Sequence, residues 1–255
     1  MDAYKKYLAE FVGTFALVFI AAGAIEPKKV LEHVKKHFGH LKPRRRLPYF
    51  TCKFHQQDPQ TELYPRKVEQ AQLAVGFPGY QYNHPKLTTL EVLHGVLGAG
   101  PSSRLFEVIR ENLGLAYTVR TNITSYEDTG AFYVRGGMDP KNVEKVLAQI
   151  IKEFVRIKER LITREELQRA KRYLNGALAL ELEESDAYAS WVAKQALFLP
   201  RVETMADLHD RINAVTREQV REVAADVMDP RKINLALIGP YKSVKAFERL
   251  LRRMR

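Results

Sequence analysis

The sequence predicts an α+β fold: the end of one α+β module, followed by a complete second module of antiparallel sheet packed with helices. Its 255 residues, 45% hydrophobic and 28% charged, have an ordinary globular composition with room for one large or two smaller domains. Apolar residues alternate in some segments and recur at helical spacing in others, which predicts both strands and helices. A strand, a short turn and a helix are predicted twice, at 17–38 and at 235–251, as if each set closed one module.

The first apolar segment, Leu8–Ile25, allows three interpretations. A transmembrane helix of this length would be marginal, and it would bury the charge of Glu10. A signal peptide would account for the lysines before the segment and the small residues at its end. A buried strand at Phe15–Ala21 would account for the continuous apolar run. We favour the strand, because α+β elements follow it.

A helix and a linker are predicted before the second module. Pro27–Phe38 has apolar residues at helical spacing, proline in its first turn and Gly39 after its end, which predicts a helix. With the preceding strand it would close a first module at residues 1–40. Residues 41–66 contain four prolines, a basic run and no sustained periodicity, which predicts a linker. The second module is predicted to occupy residues 67–255.

Local patterns predict the elements of the second module. Strands are expected where apolar residues alternate or form short runs beside turn residues: Val68–Phe77, Tyr117–Tyr126, Ala131–Arg135 and Ile233–Ile238. Helices are expected where apolar residues follow a helical period: His84–Leu97, Ser102–Asn112, Val143–Val155, Thr163–Glu183, Asp186–Phe198, Met205–Asn213, Thr216–Met228 and Lys242–Leu251. Thr163 and Thr216 each begin a capping box, because Glu166 and Gln219 follow three residues later.

Charge and cysteine content exclude several classes of protein. The 41 Lys and Arg exceed the 30 Asp and Glu, for a net charge of +11. This excess is spread along the chain without a stacking-aromatic motif, so it predicts a solvated basic surface and no nucleic-acid partner. The single cysteine, Cys52, excludes a disulfide framework and a cysteine-based zinc module. It suits a reducing compartment, so the cytoplasm is the default localisation, and no membrane partner is expected.

One continuous run, GAGPSSRLFEVIRENLGLAY at 98–117, resembles the pitrilysin/insulinase zinc metallopeptidases, the family that includes mitochondrial processing peptidase. The Val75–Gly79 segment and the Thr163–Leu167 helix start match the same family, so the resemblance extends over about the whole chain. It implies an α+β module repeated twice, whose halves close around an unfolded peptide. The first half carries zinc and the second supplies substrate-binding groups. This chain resembles the tail of the first half and all of the second.

The zinc motif of that family, H-x-x-E-H on a helix, does not occur in the sequence. His33 and His37 lie four residues apart, but Lys36 stands where the motif has glutamate. We interpret them as residues of an exposed amphipathic helix. No metal site and no cofactor are therefore expected in this chain, which alone should not hydrolyse peptides. Zinc is expected in a complementary half.

The resemblance also implies which residues would contact the substrate. Arg110 and Tyr117 occupy the positions at which the family places an arginine and a tyrosine facing the zinc across the closed chamber. Arginine would donate to a peptide carbonyl, and the tyrosine hydroxyl would stabilise the tetrahedral oxyanion. Gly98 and Gly100 would form a turn lining the chamber. The neighbouring Ser102, Ser103 and Arg104 are expected to cap and anchor the following helix.

These expectations combine into one function and one alternative. The chain would be the substrate-binding C-terminal half of a zinc metalloendopeptidase. It would act with an H-x-x-E-H half, either as a dimer with a separate chain or as part of one longer polypeptide. The alternative is a non-catalytic peptide-binding or scaffold subunit of the same family. In the complete enzyme the peptide would lie as an added strand on a module edge.

Overall fold

The computed structural model describes residues 19–41 and 51–254, and the backbone of two short strands before them. The strands are β1 (Ala9–Glu10), β2 (Ala16–Leu17), β3 (Gln60–Pro65), β4 (Ala71–Pro78), β5 (Thr118–Ser125), β6 (Gly130–Met138) and β7 (Asn234–Gly239). The α-helices are α1 (Pro27–Phe38), α2 (Leu87–His94), α3 (Val143–Glu159), α4 (Arg164–Glu181), α5 (Ser185–Phe198), α6 (Met205–Ala214), α7 (Arg217–Val227) and α8 (Lys245–Leu251). None of the described helices is long and apolar enough to cross a membrane.

The chain divides into two compact units. One contains residues 1–52 and 176–207, and the other contains residues 53–175 and 208–255. In the first unit, β1 and β2 pair antiparallel, and the rings of Phe19 and Phe38 lie 4.4 Å apart at the end of α1. Helix α1 has the predicted bounds, and none of its residues is buried.

The prediction of a buried strand at Phe15–Ala21 is wrong at the residues that the structure describes. Strand β2 contains only Ala16–Leu17, residues 19–22 have no strand structure, and Phe19 and Ala21 are exposed. An apolar run forms a buried strand where other strands pair with it and other elements cover the faces of the sheet. Among the described strands, β2 pairs with β1 alone. Residues 8, 11–15 and 18 of the segment interpreted alternatively as a signal or an anchor lie outside the described residues.

The predicted linker at 41–66 contains a strand. Strand β3 pairs in parallel with β7, with Gln60 opposite Asn234 and Pro65 opposite Gly239. The strand ends at a proline and lies on the sheet edge, where proline is tolerated. Its partner is distant in the sequence, so no local pattern indicates the pairing. The second sheet therefore begins within the interval predicted to be a linker.

The second unit is built on a sheet with the strand order β3-β7-β4-β6-β5. All neighbours except β3 and β7 are antiparallel, which confirms the predicted α+β class. Successive residues of a strand point to opposite faces. The side chains of one face are buried, among them Val75, Phe132 and Leu237. The other face, here called the open face, keeps these residues exposed: Gln60, Glu62, Tyr64, Gln72, Arg120, Arg135, Ala236 and Ile238.

Helices of the second unit cover the buried face of its sheet, and two of them begin at the predicted capping boxes. Thr163 and Glu166 exchange hydrogen bonds of 2.7 and 3.1 Å between their side chains and backbone N–H groups. Thr216 and Gln219 form the same capping box at the start of α7. Each box satisfies two N–H groups that have no partner within the helix. These contacts determine where α4 and α7 enter the core.

Candidate functional site

Two π-helical segments lie on either side of the Gly-rich turn in the run that carries the family resemblance. Gly95–Ala99 continues α2, and Phe106–Asn112 follows the Gly-rich turn. In the second segment the N–H of Leu113 donates to the carbonyl of Val108, five residues back, at 3.2 Å. The α-helix predicted at Ser102–Asn112 is therefore wider than expected. Such segments are uncommon and often occur at functional sites.

Arg110 and Tyr117 are both exposed on the second unit. The Arg110 guanidinium carbon lies 4.8 Å from the centre of the Phe106 ring, which holds it by a cation–π contact. Tyr117 is 58% exposed, and its backbone N–H donates to the carbonyl of Gly137 at 2.9 Å. Gly114, with φ +58°, turns the chain between them in a conformation that favours glycine. No hydrogen bond joins the two side chains, and both are exposed.

Gly98 and Gly100 have a packing role in the structure. A Cβ on Gly98 would lie 2.7 Å from the backbone nitrogen of Thr121 in β5. A Cβ on Gly100 would lie 2.7 Å from the ring of Tyr173, whose hydroxyl donates to the carbonyl of Ala99 at 3.0 Å. The turn therefore needs small residues because β5 and α4 approach it closely. The predicted role in lining a chamber stays a prediction.

Two half-buried titratable groups lie on α2, near the same turn. His94 Nδ1 is 2.6 Å from the hydroxyl oxygen of Thr121, and burial lowers the pKa of its imidazole to about 4. Burial raises the pKa of Glu91 to about 7, against a smaller opposing effect from Arg211. Neutral His94 thus joins α2 to β5, and Glu91 loses its proton near neutral pH.

Arg104 anchors its helix to the rest of the core, as the sequence predicts. Its guanidinium makes a bidentate contact with Glu166, at 2.6 and 3.0 Å, and reaches Glu153 at 3.4 Å. The three side chains are at least four-fifths buried, and such fork-shaped pairs are strong. Ser103 donates to the carbonyl of Gly100 at 2.5 Å, so its hydroxyl fastens the turn and does not accept from the helix. Ser102 is exposed.

A groove of about 640 Å³ lies on the open face, over strands β3, β7, β4 and β6. Its lining includes five residues with at most a methyl side chain: Ala74, Gly76, Gly130, Ala131 and Ala236. Tyr133 lies against Gly76, and Phe54 also lines the groove. A concave, mostly apolar surface with a few polar groups is the usual form of a binding site. Sequence reasoning missed this groove, because it depends on the alignment of four strands.

The described histidines do not form a metal site. His33 and His37 lie on α1, and no group of three His, Cys, Asp or Glu side chains comes together among the residues that the structure describes. Zinc in proteins normally has three or four such ligands. The described residues therefore offer zinc no ligand set of this size.

Comparisons with known proteins identify the family. The model of the peptidase M16 inactive domain matches residues 2–174. The chain belongs to the M16 peptidase family. This confirms the resemblance to the pitrilysin-like metallopeptidases that the run at 98–117 indicates. Family members are expected to share the fold of this domain, and the solved structures agree.

Two relatives and one solved structure illustrate the match to M16 proteins. An uncharacterized zinc protease of Bacillus subtilis (strain 168) is 32% identical over 242 residues, covering 94% of this chain and 58% of the relative. The beta subunit of mitochondrial processing peptidase from Bos taurus is 27% identical over 269 residues, covering 98% and 54%. The crystal structure of a peptidase M16 inactive domain from Pseudomonas fluorescens has a TM-score of 0.75 at 18% identity, covering 87% and 53%. The chain thus spans little more than half the length of these proteins.

Proposed function

We propose that this chain is the substrate-binding, non-zinc half of an M16 metalloendopeptidase. The observation that carries the proposal is the groove on the open face of the sheet, in a member of a peptidase family. A groove of about 640 Å³ can accept one or two side chains of an extended peptide. Strands β3 and β5 are the outer strands of the sheet, and either could pair with a peptide backbone.

In this proposal Arg110 and Tyr117 act on the substrate near the reacting carbonyl. Both side chains are exposed, and both are polar donors of the kind that stabilises negative charge on oxygen. Arg110 would hold a peptide carbonyl, while the Tyr117 hydroxyl would donate to the oxyanion. The zinc that activates water would belong to a complementary half carrying H-x-x-E-H. The cytoplasm is the compartment in which we expect the assembled enzyme to act.

The test is reconstitution with an H-x-x-E-H half of the same family, followed with a quenched fluorescent peptide. Neither half alone should cleave the peptide, and the mixture should. Removal of one oxyanion donor typically costs about 100-fold in kcat, so Tyr117→Phe should reduce cleavage by roughly that factor while peptide binding persists. Arg110→Ala should weaken both cleavage and binding.

Matched controls make this test specific. Tyr126→Phe removes a hydroxyl from a side chain that is equally exposed, at 59%, and should leave cleavage unchanged. Arg160→Ala removes the guanidinium of another exposed arginine, at the end of α3, and should also leave cleavage unchanged. Peptide binding without cleavage in any mixture would favour the non-catalytic peptide-binding or scaffold subunit. Equal effects of Tyr117→Phe and Tyr126→Phe would remove the assigned role of Tyr117.

A further inference from the structure

Two arginines lie directly opposite each other on the open face. The register of β5 and β6 pairs Arg120 with Arg135, and both side chains are exposed. Residues opposite each other in an antiparallel pair have Cβ atoms about 5 Å apart, and like charges at that separation destabilise the sheet. Neither guanidinium has an ion-pair partner among the described residues, although Arg104 and Arg231 elsewhere in the unit do. The pair is therefore a concentrated positive charge that the described part of the chain does not neutralise.

The arginine pair borders the groove. Arg135 is opposite Ala74 of β4, and Tyr133, two residues before it on the same face, is opposite Gly76. Ala74, Gly76 and Tyr133 all line the groove. Neighbouring strands are about 4.8 Å apart, so the arginine pair lies roughly 5–10 Å from the middle of the groove. An extended peptide covers that distance in about two or three residues.

The charges of the open face favour a single carboxylate as the ligand. Besides the two arginines, the described strands present one charged side chain on this face, Glu62, at the far end of the same row across β7 and β4. Nucleic acids are bound by several phosphate contacts along a basic track, and a face with two arginines and one glutamate does not provide one. Two adjacent guanidinium groups suit one carboxylate, which can accept from both.

We propose that Arg120 and Arg135 form an anion subsite that binds an Asp or Glu side chain of a peptide whose neighbouring apolar residue occupies the groove. This inference rests on the proposed function for the peptide as ligand, and it adds a sequence preference that the family membership does not assign. The acidic residue lies two or three positions from the apolar one. The subsite binds the peptide and takes no part in the reaction.

The test compares two labelled peptides that differ in one residue. Each is extended and carries a phenylalanine, and at the third position from it one peptide has Glu and the other Gln. Fluorescence anisotropy with the whole chain should show the Glu peptide binding about tenfold more tightly, because charge-assisted hydrogen bonds are stronger than neutral ones. The preference should weaken as salt is added, since the site is exposed. This comparison needs no variant protein.

Variants then assign the preference to the two arginines. The double variant Arg120→Gln/Arg135→Gln should bind both peptides as weakly as the native chain binds the Gln peptide. Arg249→Gln/Arg252→Gln makes the same change in net charge at the C-terminal end of α8 and the residue after it, and should keep the preference. Because the first variant removes a like-charge pair, its resistance to urea should be equal to or above that of the native chain. That measurement shows that any loss of binding is not a loss of folding.

Each other outcome has a definite meaning. Equal binding of the Glu and Gln peptides would overturn the anion subsite and leave the proposed peptide binding in place. Failure of both peptides to bind would overturn the subsite and the proposed function together. A preference that survives in the double variant would place the anion site elsewhere. Tighter binding of a single-stranded DNA oligonucleotide than of the Glu peptide, lost in the double variant, would show a nucleic-acid site instead.

Discussion

Gly98 and Gly100 offer a direct test of whether the Gly-rich turn is a packing element. Gly98→Ala places a Cβ 2.7 Å from the Thr121 nitrogen and 2.9 Å from its Cγ2, against ordinary contact at 3.4 Å or more. The obstacle includes the backbone of β5, so either the turn or the strand must move by about 0.7 Å. Overpacking of this kind typically lowers the free energy of unfolding by about 1–3 kcal/mol. Alanine offsets less than about 1 kcal/mol of this loss, because it restricts the conformations of the unfolded chain. We expect a net loss of about 2 kcal/mol.

Gly100→Ala is the matched control, because its obstacle can move. The Cβ would meet the ring of Tyr173, which is 42% exposed and can rotate away. The variant would then lose the hydrogen bond from the Tyr173 hydroxyl to Ala99, which contributes about 1 kcal/mol to stability. Part of that loss is offset because alanine restricts the conformations of the unfolded chain. The net change should stay below about 1 kcal/mol.

The assay is urea unfolding followed by far-UV circular dichroism. Far-UV circular dichroism is used because the single tryptophan of the sequence, Trp191, belongs to the first unit and the turn to the second. Hydrogen exchange at β5 supplies a local measurement, and its amides should exchange faster in Gly98→Ala alone. Equal stability of the two alanine variants would refute the argument from the close approach to Thr121.

Other predictions concern the buried charges. Arg104→Met should cost about 3 kcal/mol in urea unfolding, since breaking a buried pair leaves Glu153 and Glu166 uncompensated; the exposed Arg156→Met should cost less than about 1 kcal/mol. His94 has a lowered pKa of about 4, so its contribution to stability is present above its usual pKa of 6.5 and is lost as pH falls toward 4, by about 3 kcal/mol in all. Glu91 has a raised pKa of about 7, so its contribution is present below pH 4.5 and is lost as pH rises through 7. Between pH 4.5 and 6.5 the two groups change the free energy of unfolding in opposite directions as pH falls. Glu91→Gln removes one of them, so the loss of stability due to His94 should become visible in urea unfolding measured across this pH range. The same pH dependence in the variant and the native chain would contradict this.

Local signals predicted several helices well, because a capping box or an apolar period is set by neighbours in the chain. Helix α4 begins at its predicted box, and α1 has the predicted bounds. The buried strand at Phe15–Ala21 was wrong and β3 was missed for the same physical reason. A strand is defined by its partners: among the described strands β2 has only β1 beside it, whereas β3 has β7, which is distant in the sequence.

The candidate site shows the same division between local and long-range information. Arg104, Arg110 and Arg120 follow one another at short intervals in a basic chain, and their residue type alone does not distinguish them. The first meets two carboxylates in the core, the second lies exposed on a π-helical segment, and the third faces another arginine across the sheet. Of these three arrangements, the sequence without the family resemblance predicted only that Arg104 anchors its helix. The third depends on strand register, because a shift of one residue would turn Arg120 to the buried face.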